Sequence, residues 1–390
     1  MFKVQTLNNI SAAGLVRLPH DRFMTGPDIS DPDAILLRSA DLHKATFGPS
    51  LKAIGRAGAG VNNIPVPALT ERGIPVFNAP GANANAVKEL VVAGLIMASR
   101  RLVPAVEFVH GLAGKGLSDA ELHKAVEAGK KAFAGNELPG RTLAVIGLGA
   151  IGGRVANTAV AMGMQVVGYD PGLTLDAAWQ LSSEIVRARS LDEALRTADY
   201  VTLHVPLSNA TRHLIDADRL QSMKPRVIVL NFAREGIVDE AAMVSSLDAG
   251  HTEAYVSDFP TALTMAHPKC VTMPHLGAST AEAEDNCAVM VADQVRDFLD
   301  NGDVRHSVNF PELVAPRRAA HRCLCACIAS DQAAARIADT LAQAGVTVVG
   351  FATATRNALM YVVADTNLPV PASALERLTA LDGVSMVRAL

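Results

Sequence analysis

Thr142-Leu143-Ala144-Val145-Ile146, followed at once by Gly147-Leu148-Gly149-Ala150-Ile151-Gly152, decides the fold. The first five residues read as a buried strand, and Ile151–Met162 reads as the helix that follows. The glycines between them have separate tasks. Gly147 permits a tight turn, Gly149 lets backbone approach a pyrophosphate, and Gly152 lets helix pack on strand. The helix then offers its first N–H groups and the positive end of its dipole to phosphates. Asp170 stands at the end of the next strand, Gln165–Tyr169, 18 residues after Gly152. A carboxylate there accepts bonds from both ribose hydroxyls and repels a 2′-phosphate, so the expected cofactor is NAD rather than NADP.

Outward from this motif the pattern repeats. Strand-like runs lie at Tyr200–His204, Val227–Asn231, Ala254–Asp258 and Cys270–Met273, with helical stretches such as Asp239–Ala249 between several of them. Strand and helix in alternation predict a parallel sheet covered on both faces. Upstream, Phe2–Leu7, Ala34–Leu37, Ala53–Arg56 and Val76–Asn78 read as strands of a smaller α/β unit, and Leu90–Val103 as one buried helix. Downstream, Ala281–Leu299 reads as an amphipathic helix. Asn309–Arg318, with two prolines and two arginines, reads as a linker. The remaining residues read as strand, helix, two strands, helix and strand, the ferredoxin-like order βαββαβ.

Composition excludes several functional classes. The 390 residues are 49% hydrophobic and 19% charged, as in an ordinary globular protein. A net charge of −4 gives no global basic field for nucleic acid. No apolar run approaches the ~20 residues that span a bilayer, and the first residues alternate like a strand rather than a signal peptide. Five cysteines make no disulfide framework, which fits a reducing cytoplasm. Cys323, Cys325 and Cys327 alternate and point to one face of a strand, where small core residues are expected rather than a metal site.

Two residues near strand ends suit oxidation of a hydroxy acid. Arg234, after Asn231-Phe232-Ala233, offers a planar fork to a carboxylate or carbonyl. His275, in Pro274-His275-Leu276-Gly277-Ala278-Ser279-Thr280, is placed to take a hydroxyl proton as hydride leaves.

With these segments, Ile35-Leu36-Leu37-Arg38-Ser39-Ala40, Gly55-Arg56-Ala57-Gly58-Ala59-Gly60-Val61-Asn62-Asn63 and Asn78-Ala79-Pro80-Gly81-Ala82-Asn83 complete a resemblance across nearly all of residues 1–310. The chain resembles the D-2-hydroxyacid dehydrogenase family, most closely its D-3-phosphoglycerate dehydrogenases. That resemblance implies an α/β fold with a Rossmann NAD domain at residues 86–285 and a flavodoxin-like substrate domain at residues 1–85 and 286–310. Residues 319–390 resemble an ACT domain, a small regulatory or assembly module. Arg234 then matches the catalytic arginine and His275 the proton donor. Gly147, Gly149, Ala150, Ile151, Gly152, Asp170, Phe232, Ala233, Asp258, Gly277 and Ala278 match cofactor-contacting positions. Arg38 and Arg56, with Ala57, Gly58 and Ala59, match a substrate-phosphate site, where guanidinium groups and backbone N–H donors suit a dianion. The implied reaction is NAD-dependent oxidation of 3-phospho-D-glycerate in serine biosynthesis, by a homodimer or homotetramer. Glyoxylate or hydroxypyruvate reduction, and a weakly active NAD-binding regulatory protein, are the alternatives.

The pattern departs from the family in two main places, and in smaller ways at Glu235, where Gly is common, and at Asn62, where Asp is common. Relatives carry a Glu shortly after the aspartate matched by Asp258, where it orients the catalytic histidine. Here Asp258-Phe259-Pro260-Thr261-Ala262-Leu263-Thr264-Met265-Ala266-His267 has no second acid, and direct alignment puts Leu263 at that position. Glu89 is one candidate substitute. Without a carboxylate partner, reduction is expected to fade at lower pH than in Glu-containing relatives. The second departure is the ACT-like turn, Ala329-Ser330-Asp331-Gln332-Ala333-Ala334, which lacks the Gly that brings backbone close to an amino-acid ligand.

Overall fold

The computed structural model describes residues 1–390. The chain divides into two compact units, Met1–Asn83 with Ala281–Leu390, and Ala84–Thr280.

The first unit opens with strands β1 (Phe2–Leu7), β2 (Phe23–Gly26), β3 (Ala34–Leu37), β4 (Ala53–Arg56) and β5 (Val76–Asn78). They form one parallel sheet in the order β2-β1-β3-β4-β5. This is the flavodoxin-like order. All four residues of β3 are buried, as a strand covered on both faces requires. Strand β2 is short and did not stand out in the sequence pattern.

In the second unit, helices α1 (Ala84–Ser99) and α2 (Leu102–His110) precede a seven-stranded sheet. Its strands are β6 (Thr142–Ile146), β7 (Gln165–Tyr169), β8 (Val186–Arg187), β9 (Tyr200–Leu203), β10 (Val227–Asn231), β11 (Thr252–Ser257) and β12 (Cys270–Thr272), with α3 (Ala150–Ala161) between β6 and β7. Every pairing is parallel, in the order β12-β11-β10-β9-β6-β7-β8. The order reverses at β6, where the doubly wound topology places ligands beyond the carboxyl ends of the strands. Alternate residues feed the two faces: Ala144, Ile146, Val201 and Leu203 pack on one side, and Leu143, Val145, Ile228 and Leu230 on the other.

The expectation of one helix over Leu90–Val103 is corrected here. Helix α1 stops at Ser99, Arg101 adopts φ 50°, and α2 starts at Leu102. Pro104 supplies the reason, since a continuous helix would drive its ring into the carbonyl of Arg100.

The chain returns to the first unit through α4 (Ala281–Asn301), whose Val291, Val295 and Phe298 pack on the first sheet's core. Strands β13 (His321–Ile328), β14 (Val348–Arg356), β15 (Leu359–Thr366) and β16 (Val384–Ala389), with helices α5 (Ala333–Gln343) and α6 (Ala372–Thr379), complete it. The sheet order is β14-β15-β13-β16, antiparallel throughout. Its two faces have different partners. Leu324, Ala326, Tyr361 and Val363 join the core that contains Val4, Phe77 and Phe298. Cys323, Cys325, Cys327 and Val362 face Ile337 and Leu341 of α5 and Leu378 of α6.

The stretch Asn309–Arg318 therefore does not behave as a linker. Phe310 is fully buried, the Asn309 side chain accepts the Val76 N–H at 2.8 Å, and Val308 N–H reaches the Val76 carbonyl at 2.9 Å. Arg322, also buried, forks onto Asp365 at 2.7 and 3.2 Å and donates to the carbonyls of Asn301 and Ala315, both at 2.9 Å. A buried guanidinium with all three partners met is a rigid fastening. It ties the antiparallel sheet to the end of α4.

Candidate active site

The carboxyl ends of β6 and β9 form the nucleotide end of the second unit. Gly147 has φ 90°, and a Cβ on it would lie 2.5 Å from the His204 carbonyl oxygen. A Cβ on Gly152 would lie 1.9 Å from the Gly147 carbonyl oxygen. Neither position admits a side chain, while Gly149 has open space around it. Gly149 is also the N-cap of α3 and supplies no side chain to satisfy the first amides. That combination leaves a bare helix N-terminus for a pyrophosphate, formed by Ala150 and Ile151. Asp170 accepts the Leu148 N–H and the Gly172 N–H, both at 2.8 Å, so its carboxylate is fixed beside the loop. The cradle and the acid fit a dinucleotide.

Beneath this loop lies a residue that the sequence pattern did not single out. His204 is half-buried, its N–H bonds to the Ile146 carbonyl at 2.7 Å, and its Nε2 meets Thr202 Oγ1 at 2.9 Å. Its Nδ1 has no partner. Burial pushes its imidazole down to about 3, so the ring is neutral. The one available signal was its place at the end of the strand after the switch point.

The ends of β10, β11 and β12 are joined through Asp258. This residue is 1% exposed, and its carboxylate accepts the N–H groups of Leu276 at 2.7 Å and Gly277 at 2.8 Å. Its own N–H donates to the Asn231 carbonyl at 3.1 Å, and its carbonyl accepts the His275 N–H at 3.0 Å. Asp258 thus holds the His275 loop by three bonds, with its carboxylate committed to backbone. His275 itself has φ 56° and is exposed, its ring edge-on to Phe259 at 5.0 Å between centroids. Ala278 follows Gly277 at the same loop and is half-buried.

Arg234 is set by Asn231, a second residue missed in sequence. Asn231 is buried, its Oδ1 accepts the Ala233 N–H at 3.1 Å and its Nδ2 donates to the Arg234 carbonyl at 2.9 Å. Phe232 turns inward, within 3.0 Å of the position a Gly94 Cβ would take, and Ala233 is also buried. Arg234 alone emerges exposed, donating to the Ala233 carbonyl at 2.6 Å. No carboxylate lies within 4.0 Å of its guanidinium or of the His275 ring.

The acid expected beside His275 has no replacement in the second unit. Leu263 is half-exposed on the short helix Ala262–Ala266. Glu89 faces Asn85 Nδ2 at 2.8 Å and Lys88 at 3.6 Å. Glu240 accepts the Thr261 hydroxyl.

In the first unit, Arg38 and Arg56 lie at the carboxyl ends of the neighbouring strands β3 and β4. Arg38 pairs with Glu284 of α4 at 2.7 Å, and Arg56 Nε donates to the Arg38 carbonyl at 3.0 Å. Gly58, at φ 152°, makes room for this arrangement, since a Cβ there would lie 1.8 Å from Arg56 Nη1. Ala57 N–H bonds to the Leu37 carbonyl, and the Ala59 carbonyl accepts Asn78 Nδ2 at 2.6 Å.

Known proteins resemble this chain in sequence and in fold. Residues 114–277 match the D-isomer specific 2-hydroxyacid dehydrogenase, NAD binding domain. The chain is 38% identical over 304 residues to the D-3-phosphoglycerate dehydrogenase of Mycobacterium tuberculosis, covering 74% of this chain and 54% of that one. It is 34% identical over 334 residues to the Bacillus subtilis D-3-phosphoglycerate dehydrogenase, covering 80% and 60%. The chain spans about half the length of the curated relatives it matches. Among solved structures, the NAD+-bound 3-phosphoglycerate dehydrogenase of Entamoeba histolytica superposes with a TM-score of 0.61 at 23% identity, over 79% of this chain and 99% of that one. That likeness is one of fold.

Proposed function

We propose that this chain, which carries an NAD-binding domain of the D-isomer specific 2-hydroxyacid dehydrogenases, oxidises 3-phospho-D-glycerate to 3-phosphohydroxypyruvate in serine biosynthesis. The observation that carries the reading is the placement of exposed Arg234 and His275 on strand-end loops of the sheet that bears the dinucleotide cradle. When bound, NAD supplies the hydride acceptor. Arg234 holds the substrate carboxylate with its fork and polarises the carbonyl that forms. His275 accepts the hydroxyl proton as the C2 hydrogen leaves with its electron pair. In the reverse direction the same imidazolium returns that proton. Asp258 fixes the loop from which His275 acts. Arg38 and Arg56 supply the charge that a phosphate requires, with Glu284 as the partner the phosphate displaces from Arg38.

A substrate panel tests the proposal: phosphohydroxypyruvate, hydroxypyruvate, glyoxylate and 2-oxoglutarate, each with NADH and NADPH. A strong preference for the phosphorylated ketoacid with NADH is expected. Equal turnover of hydroxypyruvate or glyoxylate would replace it by another 2-hydroxyacid dehydrogenase activity. Silence across the panel would favour an NAD-binding regulatory role, a reading that the absence of an acid beside His275 supports.

The proposed assembly is a homodimer or homotetramer. Helix α2 buries none of its residues and exposes Leu102, Val106 and Val109, an apolar stripe at helical spacing. Light scattering of Val106→Asp should show a shift toward monomer. No helix is long and apolar enough to cross a membrane. The five free cysteines fit the cytoplasm, where we place the enzyme. The ACT-like sheet, fastened by Arg322 and lacking glycine in its ligand turn, serves assembly in this reading.

A further inference from the structure

One cavity in the first unit belongs to none of the groups above. It has a volume of about 480 Å³, opens to solvent, and runs along α4, bounded by Ala82 and by the turn that carries Asp303, Arg305 and His306. Gln294 lines it, only 5% exposed, and both its amide oxygen and its amide nitrogen are buried without a hydrogen-bond partner. A buried amide with neither bond made is costly, so such groups in native proteins have an occupant to bond.

The charges around the cavity are unevenly settled. Asp293 is paired with Arg17 at 2.9 Å and with Arg296 at 2.6 Å. Asp297 is paired with Arg296 at 2.9 Å and with Arg305 at 3.2 Å. Asp303 has no ion pair. The only hydrogen bond to its carboxylate comes from the Ala315 N–H at 3.3 Å, and burial pushes its carboxyl up. The unmet demands are therefore one anion, one acceptor and one donor. An ammonium group meets the first two, and an adjacent oxygen that can accept meets the third. Val289 and Met290 add apolar wall for a short carbon chain.

We propose that this cavity binds a small primary amino alcohol, with its ammonium on Asp303 and the Gln294 Oε1 atom and its hydroxyl accepting from Gln294 Nε2. The proposal is independent of the dehydrogenase reading, since it uses none of the same residues.

Isothermal titration of the full chain with 3-amino-1-propanol tests it, with 1,3-propanediol and propionate as neutral and anionic probes and β-alanine as a zwitterion. Saturable one-to-one binding of the amino alcohol is expected, with no saturable heat from the diol or propionate and weaker binding of β-alanine. Gln294→Leu and Asp303→Asn should each weaken binding by about tenfold or more. Val289→Trp, at a half-buried wall position, should abolish binding by filling the space. Circular dichroism and a thermal melt of each variant check that the chain is folded. No saturable heat with wild type, equal or tighter binding of the diol, propionate or β-alanine, or unchanged binding in folded Val289→Trp would overturn the proposal.

Discussion

Two aspartates at the ends of strands in the second unit carry the same bond pattern and do different work. Asp170, after β7, accepts two backbone N–H groups at 2.8 Å and stays half-buried beside the glycine loop. Asp258, after β11, accepts two backbone N–H groups at 2.7 and 2.8 Å and is 1% exposed. Both matched cofactor positions in the sequence. The first remains partly exposed beside the loop proposed to hold the cofactor. The second has spent its carboxylate on the loop that presents His275. The contrast teaches that an acid near a histidine in sequence is not thereby its partner, because burial and backbone donors can claim it first.

The comparison can be broken most forcefully at His275, the proposed proton donor, whose loop Asp258 holds. His275→Ala should lower the rate of ketoacid reduction by about 10²–10⁴, read in steady-state kinetics. A near-wild-type rate would leave Asp258 holding a loop with no catalytic task. Asp258→Ala comes next, since it leaves two N–H groups unpaired in a buried site. A loss of about 2–4 kcal/mol is expected from denaturant unfolding, with a fall in kcat at little change in NADH affinity. Unfolding of Asp170→Ala should be close to wild type, and an equal loss in both variants would erase the distinction.

The nucleotide end has its own titratable group in His204, neutral and half-buried under the glycine loop. Its folded value near 3 lies below the ordinary 6.5, so below pH 6.5 the unfolded chain takes up a proton that the folded chain refuses. Stability from this group is intact above pH 6.5 and falls by up to about 1.4 kcal/mol per unit down toward pH 3. At pH 5 that is about 2 kcal/mol. Thermal melts at pH 7 and pH 5 should show a smaller difference for His204→Gln than for wild type. The smallest effect belongs to Asp170 itself. Asp170→Asn should narrow the preference for NADH over NADPH by about tenfold, on the order of 1.4 kcal/mol, measured as a ratio of kcat/KM.

Much of this was legible before the fold was known. The glycine loop was readable because steric exclusion at Gly147 and Gly152 leaves a single residue type, and residue type is what a sequence records. The central strands were readable because parallel strands buried on both faces are continuous apolar runs. Other features were hidden for physical reasons. Strands Phe23–Gly26 and Val186–Arg187 are too short to leave a period. The break between α1 and α2 was masked by an apolar run in which Pro104 counted for less than its neighbours. The stretch Asn309–Arg318 had a linker's composition, and only Phe310 and Asn309 docking on β5 showed that it is packed.

The sequence by itself determined the layered α/β architecture, the dinucleotide loop and the candidate pair Arg234 and His275, because local sterics and apolar periodicity are written residue by residue. Tertiary structure alone decided which groups are already bonded: Asp258 to the His275 loop, Arg38 to Glu284, Arg322 to Asp365, and Gln294 to nothing. Hydrogen bonds and ion pairs between residues distant in the chain depend on distance, direction and burial, and those quantities exist only once the chain has folded.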